Sequence, residues 1–121
     1  MRGIVLFAHG ARDPSWAEPF EAIRDRVRQS RPECPIALAY LELMSPSLDE
    51  AIDQVVRDGA LAVTVFPLFM AQGGHLRQDL PRILDAIRAS RPHVPISLER
   101  PIGEVPEILE AITTWVRARA D

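Results

Sequence analysis

Lysine is absent from this 121-residue chain: all 14 of its basic residues are arginine. Against 17 acidic residues they leave a net charge of −3. That balance provides no broad basic field and argues against a nucleic-acid partner. Arginines set singly suit the binding of carboxylates or phosphates at chosen points. Cysteine occurs once, as Cys34 in the turn-like stretch "RPECP". One thiol excludes an internal disulfide and a cysteine-based zinc site, and it fits a reducing compartment. Aromatic residues make up 6% of a chain that is 47% hydrophobic, so the core is aliphatic. No apolar run reaches the roughly 20 residues of a membrane span. The N-terminus opens on a strand pattern, without a charged leader and cleavage site. We therefore expect one cytoplasmic domain over residues 1–121, with neither membrane nor nucleic acid as a partner.

Common catalytic signatures are missing too. There is no G-x-x-x-x-G-K-S/T loop and no G-x-G-x-x-G turn, which excludes the usual nucleotide sites and any organic cofactor held by them. There is no G-x-S-x-G elbow for a serine hydrolase. Phosphatases with a histidine nucleophile carry an arginine just before His-Gly, and here that place is Ala8.

What is present alternates in type. "GIVLFA" (3–8) is a short continuous apolar run that ends near glycine, as a strand buried on both faces does. Asp13-Pro14-Ser15 opens a helix carrying Phe20, Ile23 and Val27. "IALAYLEL" (36–43) is a second strand. Ser45 then caps a helix with Pro46 in its first turn and an apolar stripe of Leu48, Ile52, Val55 and Val56. "ALAVTVFPLFM" (60–70) is a third strand, followed by the loop "AQGGH" and a helix with Pro81 in its first turns. "ISLE" is a fourth strand, and "GEVPEILEAITTWVRARA" is the last helix. Such alternation predicts right-handed crossovers and an α/β three-layer sandwich. We expect a four-stranded parallel sheet, order 2-1-3-4, with helices on both faces.

The halves echo one another. "SRPECPIAL" (30–38) matches "SRPHVPISL" (90–98) at an offset of 60 residues. On this reading His9, ending strand 1, has its equivalent in His75, in the loop after strand 3. Glu42 ends strand 2. Ligands of open α/β sheets bind at the carboxyl ends of strands, where the order reverses. Two histidines and a carboxylate form a common open site for zinc, iron, cobalt or nickel. The scattered spacing leaves the plainer alternative open, in which His9 satisfies a backbone group and His75 lies on the surface. Gly73 and Gly74 precede a helix and could hold an anion on backbone N–H groups. Arg12 and Arg77 follow the two histidines closely and could pair with substrate carboxylates. His93, in a turn at the other end of the sheet, is expected in solvent. Trp16 and Trp115 are expected to pack on their helices.

"LFAHGARDP", "LELMSPSLDEAI" and "VFPLFMAQGGHLRQDLP" together resemble the short-form sirohydrochlorin chelatases of the CbiX/SirB type, class II chelatases. The resemblance runs from Ile4 to about Pro101. It implies insertion of a divalent metal (cobalt, iron or nickel, as substrate) into sirohydrochlorin or a related tetrapyrrole, on a cobalamin- or sirohaem-type route. It assigns metal binding and catalysis to His9, Glu42 and His75, and leaves Arg12, Arg77, Gly73, Gly74 and Met44 to hold the macrocycle. Larger relatives fuse two such domains around one cleft, so a homodimer with the cleft between protomers is implied. One departure stands out: the family's first motif reads His-Gly-Ser, and here Ala11 replaces the serine. A carrier that binds tetrapyrrole or metal without turnover, and a flavodoxin-like regulatory domain without metal, are the competing expectations.

Overall fold

A computed structural model of the chain describes residues 1–120. Strand β1 (Arg2–Ala8) leads through a 3-10 turn (Pro14–Ala17) into helix α1 (Glu18–Ser30). Then follow β2 (Ile36–Tyr40), α2 (Leu48–Arg57), β3 (Ala62–Pro67), α3 (Gly74–Ser90), β4 (Ile96–Leu98), a second 3-10 turn (Ile102–Glu104) and α4 (Pro106–Arg117). The sheet is parallel throughout and ordered β2-β1-β3-β4, as the alternation predicted.

The two faces of β1 supply two cores. Val5 and Phe7 point to one side, where they meet Ile52 and Val55 of α2 and Leu80 and Leu84 of α3. Leu6 and Ala8 point to the other, with Leu38 and Tyr40 of β2, and Trp16 and Phe20 beside α1. A strand covered on both faces has no polar side to show, which is why its sequence runs apolar without alternation. Burial, reinforced by the nearby charge of Glu21, holds the Tyr40 phenol above its ordinary pKa. No helix among the described residues is long and apolar enough to cross a membrane.

The echo is visible in the backbone. Helices α1 and α3 end 60 residues apart, and their capping residues adopt the same conformation: φ −135°, ψ 65° at Arg31 and φ −135°, ψ 64° at Arg91. Each turn closes alike, Cys34 N–H on the Arg31 carbonyl at 3.1 Å and Val94 N–H on that of Arg91 at 3.0 Å.

Element ends depart from expectation. Ser45 does not cap α2; Ser47 does, in a capping box in which its hydroxyl accepts from Glu50 N–H and Glu50 accepts from Ser47 N–H. Pro46 belongs to the preceding turn, where its carbonyl accepts the Tyr40 N–H at 2.9 Å. Strand 2 stops at Tyr40 rather than residue 43, because Leu43 takes a positive φ of 67° and turns the chain away. Strand 3 covers 62–67 rather than 60–70: Ala60 N–H is held by the Val55 carbonyl at the end of α2. Pro81 lies in the middle of α3, past the first turns, on a helix anchored by the buried Leu80 and Leu84.

Trp16 packs as expected, 4.7 Å between ring centroids from Phe20. Trp115 does not. It is 60% exposed under the Arg119 guanidinium, and α4 has no buried residue at all.

Candidate functional site

The residues that carry chemistry gather at the carboxyl edge of the sheet. His9 follows β1 directly, and the β1 ladder continues through it: Leu41 N–H donates to the Ala8 carbonyl at 2.9 Å and Glu42 N–H to the His9 carbonyl at 3.0 Å. His9 and Glu42 are thereby joined through the backbone across adjacent strand ends. Gly10 makes this possible. Its φ of +93° suits glycine, and a Cβ there would overlap the Glu42 carbonyl oxygen. Both side chains, His9 and Glu42, are exposed.

The His9 imidazole rests on Phe69, 4.5 Å between ring centroids, and Phe69 in turn meets Phe7 edge-on at 5.4 Å. Phe69 is 2% exposed, so His9 sits on a fixed apolar floor. At the 60-residue offset, Phe69 and not His75 is the counterpart of His9. His75 lies further on, within the first turn of α3 and not in the loop before it, because Gly73 is the cap and the helix begins at Gly74. Its side chain is exposed on the same edge of the sheet. The structure brings His9 and Glu42 together. Among the described residues it closes no group of three or more His, Cys, Asp or Glu side chains into a metal-holding cluster.

Gly73 caps α3 without a side-chain hydrogen bond, so the first N–H groups of that helix point outward without a side-chain partner. The loop before it is clamped by the second 3-10 turn: Gly103 N–H donates to the Phe69 carbonyl at 3.3 Å, and a Cβ on Gly103 would overlap the Met70 carbonyl oxygen. Arg77 is exposed and borders an open depression of about 710 Å³ with Gln72, Glu99, Arg100 and Glu104. Arg100 was missed in the sequence; the rule that ligands meet strand ends would have found it had it been applied to β4. Arg12 is exposed beside Asp13, whose carboxylate accepts the Ser15 N–H at 3.0 Å and is held below its ordinary pKa by that bond. Met44 is half-buried against the α1-side core, while Leu43 and Met70 stand exposed. His93 is exposed, as expected.

The family model described as CbiX matches residues 3–118. The chain belongs to the CbiX family. It is 33% identical over 91 residues to the sirohydrochlorin cobaltochelatase of Methanothermobacter thermautotrophicus, a match covering 75% of this chain and 63% of the relative. The chain thus spans under two thirds of that relative's length. The solved CbiX structure from Marinobacter aquaeolei VT8, named for cobalamin (vitamin B12) biosynthesis, shares 37% identity and superimposes with a TM-score of 0.82, covering 98% of this chain and 97% of that one. SirB from Bacillus subtilis, solved with ferric iron, shares the fold at a TM-score of 0.80 and 22% identity, over 99% of this CbiX chain and 48% of its own.

Proposed function

We propose that this CbiX chain inserts a divalent metal, cobalt first and iron or nickel as alternatives, into sirohydrochlorin or a related tetrapyrrole in the cytoplasm. The observation that carries the reading is the family match over residues 3–118, on a chain whose His9, Glu42 and His75 all stand exposed at the carboxyl edge of the sheet.

Metal insertion needs a loosely held ion, removal of two pyrrole N–H protons and a macrocycle held in place. Neutral imidazole binds such metals through nitrogen, and its ordinary pKa of about 6.5 lets the same ring accept a proton near neutral pH. His9, steadied by Phe69, is the first ligand and proton acceptor. Glu42, fixed beside it through the backbone, adds an oxygen or carries protons outward. His75 completes the set from the first turn of α3. A three-ligand sphere leaves positions for the macrocycle nitrogens to take. Arg12, Arg77 and the uncapped N–H groups at Gly73–Gly74 face the substrate carboxylates; Met44 supports the loop from behind. Two copies of the chain enclose the macrocycle, as the chain matches half the length of SirB.

Purified protein with cobalt and sirohydrochlorin gives the test. Insertion, followed by absorbance, is expected to fall at least 100-fold in His9→Ala and in His75→Ala, the scale of losing a positioned acid–base group. Both residues are exposed, so melting temperatures should hold. Full activity in both variants would overturn the assignment. Ala11, in place of the family serine, is the one feature that favours a carrier; tetrapyrrole binding without insertion by any metal of the panel would establish that reading instead.

A further inference from the structure

Two arginines meet at the β4 end of the carboxyl edge. Arg100 is the first residue past that strand's ladder, whose last rung runs from the Glu99 N–H to the Val65 carbonyl at 2.9 Å. The buried Pro101 follows, and a residue before proline is held extended, so the backbone of Arg100 is set. Arg77 reaches the same place from α3. Its N–H donates to the Gly73 carbonyl at 3.0 Å, and helical side chains lean back towards the N-terminus, here towards the uncapped N–H groups. Leu76 belongs to the core, and successive residues of a helix are turned by about 100°. His75 and Arg77 therefore take opposite flanks of α3. The flank of Arg77 opens on β4, where it lines one depression of about 710 Å³ with Arg100, Gln72, Glu99 and Glu104.

Neither guanidinium enters an ion pair among the described residues, although Glu99 and Glu104 line the same depression. The arginines at the far end of α3 are committed within the fold. Arg88 donates twice to the Ile96 carbonyl, at 3.0 and 2.9 Å, and Arg91 pairs with Asp49 at 2.9 Å. Two unpaired guanidinium forks on one concavity suit a pair of carboxylates from outside. The two acids narrow where such a ligand can lie, because a carboxylate away from the forks meets like charge.

We propose that Arg77 and Arg100 form a subsite that reads two neighbouring carboxylates on one ring of the tetrapyrrole, and so selects macrocycles whose rings keep both. The inference rests on the chelatase reading above. Sirohydrochlorin bears an acetate and a propionate side by side on every ring. Strand β4 lies two strand spacings from β1, about 10 Å across the sheet. With the metal at His9 marking the centre of the macrocycle, its rim carboxylates fall over the end of β4. One helix end then serves both parts of the substrate, the metal through His75 and the rim through Arg77.

Fluorescence titration with metal-free porphyrins separates recognition from insertion. Uroporphyrin I carries an acetate and a propionate on each ring; coproporphyrin I has methyl groups in place of the acetates. Wild type is expected to bind uroporphyrin I more tightly by about tenfold or more. Arg77→Gln and Arg100→Gln are each expected to lose about tenfold in that affinity, and at most about threefold for coproporphyrin I. In cobalt insertion the same variants are expected to raise the KM for sirohydrochlorin about tenfold with kcat within about twofold, the mark of lost uniform binding. Arg26→Gln, an equal loss of charge on α1, is expected to change none of these. All three positions are exposed, so circular dichroism should hold. Unchanged uroporphyrin affinity and KM in both Arg77→Gln and Arg100→Gln would overturn the subsite and leave the chelatase reading standing. No preference in wild type, equal losses for the two porphyrins, or equal losses in Arg26→Gln would overturn the reading of a carboxylate pair. A wild type that prefers uroporphyrin I through both arginines but inserts no metal would support the subsite and overturn the chelatase reading.

Discussion

Gly10 decides more of the site than either ligand it separates. With φ at +93° and the Glu42 carbonyl against its α-carbon, it lets two strand ends close to backbone contact. Gly10→Ala should therefore cost about 3 kcal/mol of stability, from positive-φ strain and the displaced carbonyl together. It should also depress cobalt insertion while His9 and Glu42 are untouched; denaturant unfolding and the absorbance assay check the two effects. Asp13 offers a second residue-level test. Its carboxylate is held below the ordinary pKa by the Ser15 N–H. That contribution is full above the unfolded-state pKa of about 3.9 and fades as pH falls through the lower folded value. Asp13→Ala should be less stable than wild type at pH 7, with the difference vanishing in strong acid, as thermal melts across pH would reveal. His9 was legible in the sequence because an imidazole at the end of an apolar strand is out of place. The Gly10–Glu42 contact was not, because it joins residues 32 apart through backbone geometry that side-chain identity does not encode. The place of Phe69 beneath His9 was hidden too, because the partner of His9 in the 60-residue echo was read as His75.

At the scale of elements, composition was a good guide to type and order and a poor one to ends. The continuous apolar runs declared a parallel sheet, and the crossover rule then left few orders to choose from. Strand ends follow from where the inter-strand ladder stops, and Leu43 stops it by a left-handed turn that no residue preference announces. Helix α2 is the instructive case. Two serines stand before it, and the one followed three residues later by glutamate is the cap. Ser47→Ala should lower stability by about 1 kcal/mol, and Ser45→Ala should leave it within experimental error. Gly103→Ala, at the grip on Met70, should slow insertion more than it lowers the melting temperature, since the strain falls on the loop that leads to His75.

At the scale of the whole molecule, the residues that carry chemistry share one edge of the sheet. The last helix faces outward, and the chain aligns with 48% of the SirB chain over 99% of its own length. An open edge suits an enzyme that must admit a wide flat substrate and release it again. Two copies related by a two-fold axis place two such edges at equal standing, so the cleft between them would hold duplicate sets of ligands. Mixing wild type with an inactive His9→Ala chain should then give activity that follows the proportion of wild-type chains linearly if each set works alone. A steeper fall would mean that both sets act on one macrocycle; rates at a series of mixing ratios distinguish the two.

The two tryptophans, placed so differently, make the protein its own optical reporter. Trp16 lies half-buried against Phe20, and its emission belongs to the folded domain. Trp115 faces solvent beneath Arg119, and its emission belongs to the surroundings of α4. A blue shift on concentrating the protein, lost in Trp115→Phe and kept in Trp16→Phe, would record assembly as light, with no label attached.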